Sequence, residues 1–254
     1  MARLAIRTAN FQISFRLIQE LRSRNIEFDV YELSEKLPSN DIIWFAESSE
    51  IIESDPKGKA IPTDIDNIEK SIELALLLVK GLGDPKELVI GIDPGPYPGM
   101  AWLVDGAFVG VSQLESIGKI TKKVNLLFDA INSQRLMIRV GNGAPLIRDR
   151  IINLCIDNNW NIEEVDEAKT SKGLLRHNHS ISALRIASMS GNRVWELRKI
   201  KPSRGEIKEI QRQSRKLSKG KLTISYQHAE EVGKGEKSLM EAIELNVTHS
   251  SEES

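Results

Sequence analysis

One stretch limits what this chain can fold into: residues 88–106, LVIGIDPGPYPGMAWLVDG. Leu88, Val89, Ile90 and Ile92 are β-formers in an apolar run that ends on Asp93. Pro94 follows, with no backbone N–H and a fixed φ, so the strand stops and Asp93 is presented at its end. Gly99, Met100, Ala101, Trp102, Leu103 and Val104 restart an apolar strand that halts at Asp105-Gly106, a hairpin-turn dipeptide. Ala107, Phe108, Val109, Gly110 and Val111 then come back. The pattern predicts a meander of short strands with one carboxylate at the tip of its first.

Around that meander the periodicity alternates. Residues 4–7 read as a strand, and 11–24 as a helix with Phe11, Phe15, Leu17, Ile18 and Leu21 facing inward. Residues 28–31 and 42–45 read as two further strands, and 48–50 with 53–59 as a polar connector. A helix over 64–79 is closed by Gly81, Gly83 and Pro85, which mark a boundary. Beyond the meander the signals predict a helix over 116–131, a strand over 136–140, a helix over 146–159, a strand over 162–165 and a helix over 179–190. The expected class is α/β. A small N-terminal α/β unit (1–84), without a phosphate loop or catalytic constellation and so suited to docking or scaffolding, precedes a core (85–192) and a basic helical C-terminal segment with a polar tail (193–254).

A leading strand ending G-x-D-P-G, then a small-residue G-x-A strand and a turn, resembles the opening motif of RNase H-like nucleases of the RuvC and YqgF type. The order of elements over about 87–191 is also the RNase H-like order. Val140-Gly141-Asn142-Gly143-Ala144-Pro145 looks like the V-G-x-P loop of YqgF-type proteins, and Val165-Asp166-Glu167-Ala168-Lys169-Thr170 like their D-E-x-x-T segment. His179-Ser180-Ile181-Ser182-Ala183 resembles the H-x-x-D-A start of the last helix in RuvC-type resolvases. The resemblance implies a phosphodiesterase using Mg²⁺ or Mn²⁺, since such cleavage needs carboxylates converging on the ions that activate water. Asp93 is then the first metal ligand, Asp166 or Glu167 the second, and His179 a ligand or general acid/base. The chain departs from the pattern where Gly141 and Asn142 stand for an acid, and where Ser182 stands for the helix Asp. Neither supplies negative charge, so the expected site binds metal weakly and cleaves slowly, or serves a relative that binds nucleic acid without cutting it. A different class, the actin-like sugar kinase and ATPase fold, also ends its first strand near a phosphate loop; Pro94 removes a backbone N–H there, and nucleotide binding by the purified protein separates the two.

Charge points toward a polyanion. The net charge is −1, yet residues 193–221 hold eleven Lys and Arg against three Glu, a local +8 that leaves −9 for the rest. Within it, Lys208, Arg212, Arg215 and Lys219 are spaced to share one face of a helix over 205–218 whose other side carries Ile207, Ile210, Ser214 and Leu217. That face either contacts the phosphates of DNA or structured RNA or packs as a solvated cation stripe on an acidic body. A second helix capped near Ser225 and a third over 238–245 precede the tail at 249–254, compatible with a helix-turn-helix-like module. The lone Cys155 sits in an apolar run, which excludes an internal disulfide and a cysteine-built zinc cluster and suggests a small buried hydrophobe. The longest apolar run, 74–79, falls far short of the roughly 20 residues that span a bilayer, and no signal-peptide pattern opens the chain, so a cytoplasmic protein without membrane contact is expected.

Overall fold

A computed structural model describes residues 3–53, 57–166 and 179–252. They form a mixed α/β protein with two sheets, dividing into two compact units: 1–90 with 100–112 and 118–137, and 91–99 with 113–117 and 138–254.

The first unit opens with β1 (Arg3–Ile6), α1 (Phe11–Ser23), β2 (Asp29–Val30), β3 (Ile42–Ala46), α2 (Ser48–Glu53), β4 (Lys59–Pro62) and α3 (Ile68–Val79). Its four strands pair in parallel in the order β2-β1-β3-β4. All of β3 is buried, as a central parallel strand must be, which is why Ile42-Ile43-Trp44-Phe45 is continuously apolar rather than alternating. Asn10 caps α1, its side chain accepting from the N–H groups of Gln12 and Ile13.

Three expectations need correction here. The inward stripe of α1 is Ile13, Leu17 and Leu21, while Phe11 and Phe15 face outward, 78% and 49% exposed, and stack on each other. Leu17 and Leu21 are buried and Ile18 packs against the same core, as expected; the core takes that stripe shifted toward Ile13 and leaves the two rings outside it. The stretch expected as a polar connector instead forms α2 and then β4, which extends the parallel sheet beside β3. The helix expected from residue 64 begins at Ile68, because the Asp64 carboxylate takes the N–H groups of Asp66 and Asn67 in a local turn that competes with helix.

The same unit holds most of the meander. β5 (Glu87–Asp93), β6 (Gly99–Val104) and β7 (Ala107–Gln113) are followed by α4 (Ile120–Ile131). Asp105 and Gly106 both have positive φ, 49° and 80°, as a two-residue hairpin turn demands. The Asp105 carboxylate also accepts from the N–H groups of Lys86 and Glu87, at 3.0 and 2.9 Å, tying the turn to the start of β5. On α3, the fully buried Glu73 gathers Arg24 of α1 at 2.8 Å, the Trp102 indole N–H of β6 at 3.1 Å and Lys123 of α4 at 3.7 Å.

β8 (Arg135–Gly141), whose last four residues belong to the second unit, leads through α5 (Pro145–Asp157) to β9 (Asn161–Val165), then α6 (His179–Ser188) and β10 (Asn192–Arg193), a two-residue strand too short to be seen as a pattern. The six-stranded sheet has the order β10-β9-β8-β5-β6-β7, with β10 antiparallel to β9. α6 lies against the sheet at Gly91. A Cβ there would fall inside contact distance of the Ala183 carbonyl oxygen and the Ala187 backbone. Gly91→Val should therefore lift α6 and cost at least the ~1–3 kcal/mol typical of overpacking, because the obstructing atoms are backbone. A urea midpoint equal to that of the wild type would contradict this contact. Cys155 is buried in α5, and burial pushes its thiol up to about 12, so it behaves as the expected inert hydrophobe.

The C-terminal part of this unit is α7 (Arg204–Leu217), α8 (Tyr226–Lys234) and α9 (Leu239–Glu252), each packed on the other two. Ile207, Ile224, Ala229, Val232 and Ala242 form its core. Ser203 and Glu206 make a reciprocal capping box at α7, and Ser225 caps α8. The buried Ser214 hydroxyl accepts from the Ile224 N–H at 3.1 Å, fixing the α7–α8 connection. Leu217, expected on the inner face, is 55% exposed, and α9 continues through the stretch expected as a polar tail. Among the described residues no helix is long and apolar enough to cross a membrane.

Candidate functional site

The site expected from sequence depends on whether three strands end at one level. β5 and β8 start level, since the N–H of Arg135 donates to the Lys86 carbonyl at 3.0 Å and that of Gln134 to the Pro85 carbonyl at 3.4 Å. Both strands span seven residues, so Asp93 and Gly141 end them side by side. β8 and β9 finish level too, because the Asn142 N–H donates to the Val165 carbonyl at 3.0 Å. Asp93, Asn142 and Asp166 therefore lie together at the ends of three adjacent interior strands, each half-buried.

Asn142 and Asp166 are in direct contact, the amide of Asn142 donating to an Asp166 carboxylate oxygen at 2.9 Å. An acid at position 142 would repel Asp166 unless a cation lay between them; the amide holds it by a hydrogen bond instead. Pro94 ends β5 as expected and leaves Asp93 on the face that Gly91 shares, two residues along the strand. Ser182 immediately precedes Ala183, the residue of α6 seated on Gly91, and is half-buried. α6 begins at His179, whose side chain lies outside the described residues, as does all of Glu167. Among the described residues no group of three His, Cys, Asp or Glu side chains is gathered closely enough to hold a metal ion.

Arginines behind these strand ends escaped the sequence reading. Arg148, in the first turns of α5, pairs with Asp149 at 2.8 Å and Glu164 at 3.2 Å and approaches the Asn142 carbonyl at 3.4 Å. Arg139, inside the apolar strand β8, pairs with Glu163 at 2.9 Å and donates to the Ala187 carbonyl of α6 at 2.6 Å. The signal was present, since a charge within an otherwise apolar strand must find a partner when buried. These pairs fix β8, β9, α5 and α6 around the strand ends.

The basic face is real but uneven. Lys208, Arg212 and Arg215 are exposed on α7. Lys219 does not belong to the helix; it follows the C-terminal end in a left-handed turn with φ 54°. Arg215 donates to the Thr223 hydroxyl at 2.9 Å. Arg212 grips Glu209 with two bonds of 2.7 Å, and with help from Gln213 this holds the Glu209 carboxyl down at about 2.

A family described as a three helical bundle domain matches residues 203–248. That match coincides with the bundle α7–α9 and its capping box. It covers 46 residues of 254 and leaves both sheets outside it. No curated protein matches the chain.

Proposed function

We propose that the chain is an RNase H-like protein that binds DNA or structured RNA and retains a weak Mg²⁺ or Mn²⁺ site at the strand ends of its six-stranded sheet. The reading rests on the common level of Asp93, Asn142 and Asp166 at the ends of β5, β8 and β9. The sheet order supports it, with the meander on one side of β5 and the helix-connected strands on the other, as the resemblance implies.

The donor set fits such an ion in kind: two carboxylates and a side-chain amide are hard oxygen ligands. It is short of charge, because two acids offset the dehydration of a small dication poorly, and Asn142 already engages one Asp166 oxygen. Asp93 and Asp166 would hold the ion, while Asn142 fixes the orientation of Asp166. A bound ion would supply activation of water and stabilisation of the leaving oxygen in phosphodiester cleavage. Nucleic-acid binding itself depends on the separate basic segment.

The test combines Mg²⁺ and Mn²⁺ titration with cleavage of branched DNA, linear DNA and structured RNA. Wild type should bind metal with a dissociation constant on the order of millimolar and cleave slowly. Asp93→Asn should weaken metal binding at least about tenfold and abolish cleavage while leaving nucleic-acid affinity intact. Asn142→Glu with Ser182→Asp should strengthen metal binding. Cleavage that ignores Asp93→Asn would put the chemistry elsewhere, and absence of any metal effect in every variant would remove the ion from the proposal.

A further inference from the structure

We infer that Trp195 is a stacking platform for an unpaired base, at the head of a phosphate-binding groove formed by Lys199, Lys201 and Lys234, so that the basic segment takes single-stranded nucleic acid. The inference rests on the nucleic-acid reading above and names the form of the partner. Of the four tryptophans, Trp44 and Trp102 are 2% exposed, whereas Trp195 is 70% exposed. An indole is the largest apolar surface a side chain offers, and one left in water within a segment of net charge +8 calls for a partner that is both flat and anionic.

The backbone that carries the ring is pinned on both sides. Val194 donates its N–H to the Ile162 carbonyl at 3.1 Å. Arg198 exchanges two hydrogen bonds with the Asn153 side chain, of 2.7 and 2.9 Å, and pairs with Glu164 at 2.7 Å. The ring is thus presented on a fixed support, which lowers the ordering cost of a partner. The Arg193 guanidinium lies 5.3 Å from the ring centroid, so a cation is already stacked against the platform. Four residues on, past a bend at Glu196, an open groove of about 610 Å³ is lined by Lys199, Ile200, Lys201, Pro202, Glu230 and Lys234. Lys234 pairs with Glu230 at 2.8 Å, but among the described residues no carboxylate pairs with Lys199 or Lys201.

An aromatic beside a cationic track is the arrangement that binds single strands, in which base faces stack and phosphates follow the charge. A duplex keeps its base faces covered by their neighbours and offers Trp195 nothing to stack on. An apolar protein partner would have to bury Lys199 and Lys201, whose charges Glu230, already paired with Lys234, does not offset. Phosphates and base faces are common to DNA and RNA, so either sugar should serve.

The experiment measures affinity by anisotropy and intrinsic tryptophan quenching for oligo-dT, oligo-U and a duplex of equal length. The full chain is compared with Trp195→Ala, Trp195→Phe and Lys199→Glu. Trp195→Ala should weaken both single strands about tenfold, within a range of roughly 5- to 100-fold, and remove most of the quenching. Trp195→Phe should recover much of the affinity, Lys199→Glu should weaken binding while keeping the quench at saturation, and duplex affinity should not respond to Trp195→Ala. Single-strand binding that neither quenches Trp195 nor responds to Trp195→Ala would overturn this inference alone. Failure to bind any nucleic acid would overturn the broader reading with it.

Discussion

Glu73→Ala is expected to destabilise the protein by about 1.5–3 kcal/mol, because it strands the Trp102 indole N–H and takes one of two carboxylates each from Arg24 and Lys123. Glu73 is fully buried, accepts from Arg24 at 2.8 Å and the Trp102 indole at 3.1 Å, and lies 3.7 Å from the Lys123 ammonium. Burial works against the Arg24 charge, and the nearby Glu73 and Glu20 carboxylates more than restore it, leaving its pKa above the ordinary value. Without Glu73, Arg24 retains Glu20 and Lys123 retains Glu69. The Trp102 N–H would lose its partner in a site where an unsatisfied donor costs ~1–3 kcal/mol. Glu73→Gln keeps an acceptor for Trp102 and removes only the charge, so it should cost less than Glu73→Ala. Replacing Glu73 and Arg24 together by apolar residues should recover part of the loss, since it removes the buried pair as a unit and leaves only Glu20, which reaches solvent, and Lys123, which keeps Glu69. Urea unfolding of the variants measures each step, and a loss below about 1 kcal/mol for Glu73→Ala would show that the cluster carries little of the stability of α1, α3, α4 and β6.

That cluster was invisible in the sequence for a physical reason. Glu73 lies in a helix whose flanking apolar residues mark it as buried, but its partners come from residues 24, 102 and 123, and no local pattern connects them. Features written into adjacent residues were readable: Pro94 ends β5 at Asp93, and Asp105-Gly106 turns β6 into β7. Features that depend on which of two phases a core selects were not. Phe11 and Phe15 share helical spacing with Ile18, which packs on the core, yet both rings face outward and Ile13 joins Leu17 and Leu21 in the buried stripe. Elements as short as β10 carry too few residues to show a period. At the candidate site, Asp93 and Asp166 could be named from strand ends, but the bond between Asn142 and Asp166 follows only from the level at which β8 and β9 finish. Glu209 and Arg212 have the i, i+3 spacing that a helix brings together, but only the side-chain geometry shows that the pair closes with two bonds.

The carboxylate of Glu209 shapes the last expected result, the salt dependence of binding. Held down at about 2 by the Arg212 and Gln213 hydrogen bonds, it is ionised throughout the neutral range, so Arg212 is already balanced before any phosphate arrives. Among the described residues no carboxylate pairs with Lys208 or Arg215, although Arg215 is oriented by Thr223. Each phosphate contact contributes about 0.9 to the slope of log affinity against log salt for duplex DNA and about 0.7 for a single strand, so the Lys208 and Arg215 contacts alone imply a loss of roughly 12-fold on a duplex and about 7-fold on a single strand between about 50 and 200 mM salt. Lys208→Ala and Arg215→Ala should each lower that slope by about one unit, and Arg212→Ala by less, because its charge is exchanged between Glu209 and phosphate rather than newly neutralised. Glu209→Gln should do the opposite, releasing Arg212, strengthening binding and steepening the slope. A binding titration across salt concentrations measures all four variants against wild type. If this face instead packs on acid, charge reversal at 208 and 215 will lower the unfolding midpoint and leave binding unchanged, and Glu209→Gln will have no effect on affinity at any salt concentration.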